Sequence, residues 1–134
     1  MAIMTGGCLC GRVRYSVDCE PLLSGLCHCR DCQRFTGSAF VAVMRIPLEA
    51  VTLTGELKTI DVEGSSGKTI RRHFCPNCSS PIFGEPYRPG MINLMVGTLD
   101  DLSIFKPTIE VFCDDAQPWV HMGAERTRLP RTLG

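Results

Sequence analysis

The sequence has no surplus of either charge and no long apolar run. Lys plus Arg and Asp plus Glu both number 14, so no basic excess is available to recruit nucleic acid or an anionic membrane. The longest apolar stretches, such as AFVAVM at 39–44, are far shorter than the ~18 residues that span a bilayer. The N-terminal MAIMTGGCLC also lacks the basic start and apolar run of an export signal. We therefore expect a cytoplasmic protein that binds neither nucleic acid nor a membrane.

The residue pattern favours strands over helices. GRVRYSV (11–17) alternates, with Val13, Tyr15 and Val17 on one face of a strand. Further runs rich in β-branched or aromatic residues lie at 39–46, 51–62, 68–74, 91–99 and 108–113, with a hairpin loop predicted at 63–67. Prolines and glycines are spread throughout and leave no window for a long amphipathic helix. A chain of this length holds one core. We predict a single mainly β domain over residues 1–121 and a solvated, partly ordered tail over 122–134, with a basic binding arm as the alternative for the tail.

The nine cysteines indicate metal binding rather than disulfides. In a reducing compartment, closely spaced cysteines are more often metal ligands than disulfide partners. The odd count also disfavours a complete disulfide framework. Seven of the nine fall into three short motifs, a CxC, a CxCxxC and a CxxC.

The outer two motifs together supply four thiolates, from Cys8, Cys10, Cys75 and Cys78. Neighbouring sulfurs around zinc lie roughly 3.8 Å apart, and CxxC at a Pro-Asn turn reaches this spacing easily. CxC reaches it where the strand breaks its pleat, which the flanking glycines permit. The prediction is a closed structural zinc that joins two distant parts of the chain. The alternative is two unrelated pairs of buried or redox-active thiols.

The middle motif supplies only three thiolates, from Cys27, Cys29 and Cys32. Three ligands leave one tetrahedral position free, the arrangement of a catalytic zinc that accepts water or substrate. Two alternatives remain. Cys19 or Cys113 could complete a second closed site, or an iron–sulfur cluster could bind with a fourth cysteine. As free residues, Cys19 and Cys113 are expected to be small, semi-buried hydrophobic side chains.

The residues around this trio suggest supporting roles. The side chain of His28 should point away from the metal that its neighbours hold, and His73 and His121 are expected to be structural. A guanidinium from Arg30 or Arg34 could orient the sulfurs or bind a substrate carboxylate. The predicted pocket walls are the residues that follow the trio, namely Gln33, Phe35, Ser38 and Phe40.

Three segments, GGCLCGRVRY, CHCRDCQRFTGSAF and FCPNCSSPIF, resemble the family of glutathione-dependent formaldehyde-activating enzymes, whose domain also occurs in centromere protein V. The resemblance runs from about residue 6 to 119, where QPW is similar to the family's C-terminal signature. It implies a zinc-stapled β-tent of small antiparallel sheets with two zinc ions per chain. It assigns the structural zinc to Cys8, Cys10, Cys75 and Cys78, and the catalytic zinc to Cys27, Cys29 and Cys32.

The resemblance also implies a zinc-dependent carbon–sulfur lyase. Such an enzyme would act on a thiol–aldehyde adduct such as S-(hydroxymethyl)glutathione, and its partner would be a small thiol such as glutathione. Zinc in an open site lowers the pKa of a bound thiol, which agrees with this chemistry. The alternative is a non-catalytic binding module that zinc merely stabilises, because a fold does not fix an activity.

Overall fold

The structure is a computed structural model that describes residues 2–64, 67–86, 88–121 and 123–132. Two parts of the predictions lie partly outside the described residues. These are Ser65 and Ser66 in the predicted hairpin loop, and Met122, Leu133 and Gly134 in the predicted tail. Within the described part of the chain, no helix is both long and apolar enough to cross a membrane.

Strands dominate the described residues, as the sequence pattern predicts. In chain order the elements are β1 (Met4–Gly7), β2 (Arg14–Val17), β3 (Leu23–Cys27), α1 (Arg30–Thr36), β4 (Val41–Pro47), β5 (Val51–Thr54), β6 (Lys58–Glu63), β7 (Thr69–Phe74), β8 (Pro81–Glu85), β9 (Met91–Met95), β10 (Ile109–Val111) and β11 (Thr127–Arg128). Short 3-10 turns at Leu48–Ala50, Val96–Thr98 and Cys113–Asp115 connect several of them.

The strands form two sheets. A three-stranded antiparallel sheet has the order β1-β2-β5, and an eight-stranded sheet has the order β11-β10-β3-β4-β9-β8-β7-β6. β10 pairs in parallel with both β3 and β11, whereas the other pairs of the large sheet are antiparallel. The mainly β class and the single domain with cysteine clusters that could hold zinc are confirmed, and the large sheet is mixed.

Strand alternation gives the large sheet two different faces. Met44 and Ile46 of β4, like Ile92 and Leu94 of β9, are fully buried in the core. Tyr15 and Val17 of β2, and Val13 just before this strand, join the same core as predicted. The intervening residues of the large sheet, such as Val43 and Asn93, point to the other face and line a cavity.

The predicted strand over 51–62 is wrong as a single element. It breaks at Gly55, which adopts φ +98° and leaves β5 and β6 in different sheets. A Cβ at this position would lie 2.2 Å from the backbone oxygen of Arg12, so only glycine allows this close approach. The turn at Gly55 therefore separates β5, in the three-stranded sheet, from the hairpin of β6 and β7, at the edge of the eight-stranded sheet.

The C-terminal segment contributes to the large sheet. β11 pairs with β10, and the backbone N–H of Leu129 donates to the carbonyl of Glu110 at 2.8 Å. The Arg126 guanidinium also contacts the Glu110 carboxylate at 3.0 Å. These contacts place part of the predicted tail beside β10. This strand also pairs with β3, which ends at Cys27.

Candidate metal centres

Two turns bring the outer cysteines together. Cys8 and Cys10 lie in the turn between β1 and β2, where Gly11 has φ +83° and its N–H donates to the Cys8 carbonyl. Cys75 and Cys78 lie in the turn between β7 and β8, closed by the Ser79 N–H bonding to the Cys75 carbonyl.

The geometry of these four cysteines fits a tetrahedral metal ion. Cys8 and Cys10 sulfurs lie 3.5 Å apart, and Cys10 and Cys75 sulfurs lie 3.8 Å apart. All four Sγ atoms fall within 4.8 Å of one another, and Cys75 is fully buried. Because tetrahedral zinc–thiolate sites need sulfur separations of roughly 3.8 Å, the cluster could hold one zinc ion with four protein ligands.

Hydrogen bonds reach three of these four sulfurs. The Val13 N–H donates to the Cys8 sulfur at 3.3 Å, and the Asn77 N–H donates to the Cys75 sulfur at 3.4 Å. Side-chain and backbone hydrogen bonds from Ser80 lower the pKa of Cys78 to about 5. Zinc binds thiolates rather than thiols, so such hydrogen bonds favour the ligand form.

The middle trio gathers where β3 ends and α1 begins. Cys27 is the last residue of β3, Cys29 is the N-cap of α1, and Cys32 lies in its first turn. The Cys32 N–H donates to the Cys29 sulfur at 3.3 Å, so the side chain of a candidate metal ligand also caps the helix. The three sulfurs lie within 4.8 Å of one another and could hold a metal.

Within the described residues, no fourth protein ligand joins this trio. Cys19 packs against the core, where burial raises its thiol pKa. The Cys113 thiol donates to the Glu110 carbonyl at 3.6 Å. The alternatives in which either cysteine completes a closed second site are therefore not supported by the positions of these side chains.

The three thiols of the trio differ in the direction of their pKa shifts. Hydrogen bonds from Cys27 and Cys32 lower the pKa of Cys29 to about 3, and the charge of Arg72 acts in the same direction. Hydrogen bonds to Cys29 and Cys32, together with burial, raise the pKa of Cys27. A hydrogen bond with Cys27 lowers the pKa of Cys32, but its bond to Cys29 and its burial outweigh this and raise that pKa to about 12. Within the trio, the pKa is therefore lowest at Cys29.

The trio forms part of the wall of a cavity of about 160 Å³. Most of the other lining side chains are apolar and come from the second face of the large sheet, among them Leu23, Val41, Val43, Ile70, Met95, Ile109 and Val111. Three arginines and one acidic residue also line it, namely Arg45, Arg72, Arg88 and Asp31. A small molecule in this cavity would meet the sulfurs, an apolar wall and a positive surface.

The predicted pocket walls are wrong. Gln33, Phe35, Ser38 and Phe40 do not lie among the described residues that line the cavity. They follow the trio in sequence, but the described lining residues outside the trio come mostly from strands of the large sheet. Strand alternation was the available signal for Arg45, because this residue lies on the face of β4 opposite to Met44 and Ile46. Arg72 lies in β7, far away in sequence, and only the sheet order brings it to the cavity.

Neither of the two arginines predicted to act near the trio is among the described residues that line the cavity. Arg30 bonds to the side chain of Gln33, and Arg34 is exposed. Arg72 instead faces the cavity while its Cζ lies 4.5 Å from the centroid of the Phe35 ring.

The side chain of His28 is directed to Glu110 rather than gathered with the trio's ligand atoms. It is fully buried, and its Nε2 lies 2.8 Å from a carboxylate oxygen of Glu110. Gln33 bonds to the carbonyls of His28 and Asp115, and Gln117 donates to Gln33 at 2.6 Å. The QPW segment at 117–119 therefore contacts the loop that carries the trio, through the hydrogen bond of Gln117 to Gln33.

Comparisons with known proteins identify the family and the fold. A family model described as "Glutathione-dependent formaldehyde-activating enzyme" matches residues 3–115. A Penicillium rubens protein whose name refers to glutathione-dependent formaldehyde activation is 29% identical over 78 residues, or 58% of this chain. The chain spans only 40% of that relative's length. A crystal structure of a Rhodobacter sphaeroides protein matches with a TM-score of 0.58 at 21% identity, covering 72% of this chain and 88% of that one. This likeness concerns the fold alone.

Proposed function

The chain belongs to the family of glutathione-dependent formaldehyde-activating enzymes, and we propose that it is a zinc-dependent carbon–sulfur lyase. Its substrate is a thiol–aldehyde adduct such as S-(hydroxymethyl)glutathione. One observation carries the proposal: three cysteine sulfurs meet in the wall of a cavity, and no fourth described ligand closes the cluster. A purely structural zinc would need that fourth ligand.

The two cysteine clusters have different roles in this proposal. Cys8, Cys10, Cys75 and Cys78 hold a structural zinc that fastens the turn after β1 to the turn between β7 and β8. Cys27, Cys29 and Cys32 hold the catalytic zinc. When bound there, zinc supplies a Lewis acid that stabilises a substrate thiolate at neutral pH. Keeping seven thiols reduced fits the cytoplasm as the location.

The residues of the cavity position the substrate and limit its access to water. Val41, Val43 and Met95 form an apolar wall beside the sulfurs. In the lyase direction, the carbon–sulfur bond of the hydroxymethyl thioether breaks and its electron pair remains on sulfur. The hydroxyl proton leaves to solvent as the carbonyl of formaldehyde forms. The reverse reaction joins the thiolate to the aldehyde carbon, and the alkoxide oxygen takes up a proton.

The test is exchange NMR spectroscopy of ¹³C-labelled formaldehyde in equilibrium with glutathione. We expect the zinc-loaded protein to accelerate interconversion of free formaldehyde and its adduct above the spontaneous rate. Cys29→Ser should lose this acceleration, because one of three metal ligands is replaced by a weaker one. Cys19→Ser is the matched control and should retain it, since Cys19 belongs to neither cluster. A zinc-loaded protein that leaves the exchange rate unchanged would favour the binding module instead.

A further inference from the structure

We propose that Arg72 is a specificity-determining residue that binds a carboxylate of the thiol substrate while the sulfur lies at the trio. This inference rests on the proposed function and adds a requirement to it: the substrate must be an anionic thiol. Arg88, exposed at the same cavity, extends the positive surface toward solvent.

Arg72 is fixed in place beside the trio. It lies in β7, is only 5% exposed and lines the cavity that contains Cys29 and Cys32. Its guanidinium lies over the ring of Phe35, a residue of the helix that also carries Cys32. A guanidinium held against an aromatic ring loses little additional freedom when it binds an anion, which favours its use in recognition.

Within the described residues, no carboxylate pairs with the Arg72 guanidinium. The two nearest acidic residues on the neighbouring strands are Asp61 and Glu85, and both are engaged on the opposite face of the sheet. Asp61 pairs with Arg71 at 2.9 Å, and Glu85 pairs with His73 at 2.9 Å. Because these two carboxylates are engaged elsewhere, a ligand carboxylate would not have to displace them from the Arg72 guanidinium.

The charges around the cavity are unequal. Arg45, Arg72 and Arg88 face it, whereas Asp31 is the one carboxylate among its described lining residues. Three thiolates with one zinc ion carry a net charge of about −1. The lining therefore keeps a positive excess even with the metal bound, and a carboxylate is the anion that Arg binds through two parallel N–H bonds.

The competing explanation is that Arg72 only balances the negative charge of the metal–thiolate group. In that case it would affect all thiols equally, since each binds as the same thiolate. A carboxylate-binding role would instead affect only thiols that carry a carboxylate. Comparing two thiols across the same variants separates these explanations.

The experiment is calorimetric titration of the zinc-loaded protein with glutathione and with glutathione dimethyl ester, which has the same thiol but no free carboxylate. We expect the wild-type protein to bind glutathione at least tenfold more tightly, a difference of about 1.4 kcal/mol. Arg72→Met should reduce this preference at least fivefold. Arg71→Met, the adjacent residue on the opposite face, should leave it unchanged. Arg72→Lys should keep an intermediate preference, because it retains the charge but loses the planar fork.

Each result decides between the explanations. Equal weakening of both thiols by Arg72→Met would overturn the carboxylate role while leaving thiol binding at the trio intact. A wild-type protein that does not discriminate between the thiols would also overturn it. A wild-type protein that binds neither thiol would overturn the proposed function itself. Should Arg72→Met fail to fold, Arg72→Lys and the exposed Arg88→Met carry the test, and an undiminished preference in both would contradict the proposal.

Discussion

The Nε2 of His28 lies 2.8 Å from the Oε1 of Glu110, and both side chains are fully buried. Arg126 contacts the other carboxylate oxygen of Glu110 at 3.0 Å. Burial raises the pKa of Glu110, but the hydrogen bonds from His28 and Arg126 outweigh it and leave that pKa lowered. This network joins the loop that carries the trio to β10 and the C-terminal segment.

Replacing Glu110 by Gln should therefore destabilise the fold. The change removes a buried negative charge between His28 and Arg126, and we expect a loss of about 2–4 kcal/mol in the free energy of unfolding. Urea unfolding of the zinc-loaded protein measures it. Glu125→Gln is the matched control, because Glu125 contacts Arg126 at 3.2 Å but is largely exposed. Its cost should stay below about 0.5 kcal/mol, and equal costs for the two variants would contradict this role of Glu110.

Cys75→Ser should be severely destabilising. Cys75 is fully buried and belongs to the cluster that joins two turns 65 residues apart. Losing that ligand opens a zinc site that contributes to folding, so we expect a loss of more than about 3 kcal/mol or failure to accumulate folded protein. Thermal unfolding followed by circular dichroism measures it. Cys113→Ser, outside both clusters, should change the midpoint little, and similar curves for the two variants would argue against a structural zinc.

Cys29→Ser should retain the fold while weakening the second metal. Serine is a good N-cap, so it can still accept the Cys32 N–H at the start of α1. A Ser hydroxyl is a poor zinc ligand, and we expect about one zinc ion per chain to be lost. Elemental analysis with circular dichroism checks both parts. If Cys29→Ser unfolds as Cys75→Ser does, the two clusters do not differ in role.

The local patterns of the sequence predict most of the strands and the grouping of the cysteines within each motif. Alternation at Val13, Tyr15 and Val17 placed them correctly in the core, because a strand in a sheet with one buried face repeats every two residues. The seven cysteines also cluster as the motif spacing predicts, since short turns fix the distance between sulfurs. Both signals act within a few residues, whereas the meeting of the CxC turn with the CxxC turn, 65 residues away, depends on the fold.

The elements and cavity residues that the sequence does not predict depend mainly on contacts between distant segments. β3 was not predicted, because LSGLC shows no alternation and its stability comes from pairing with β4 and β10. α1 was not predicted either, since a seven-residue helix has little periodicity and its cap is a cysteine. The cavity wall, including Arg72, comes from strands that only the sheet order brings to the trio.

The central claim is that the two clusters hold metal differently, one closed and one open to a thiol. The most direct measurement is ¹¹³Cd NMR of the cadmium-substituted protein during titration with glutathione. We predict two resonances, of which glutathione shifts only one, and that resonance should be missing from Cys29→Ser. A single resonance, or two resonances that glutathione leaves unchanged or shifts alike, would contradict the claim.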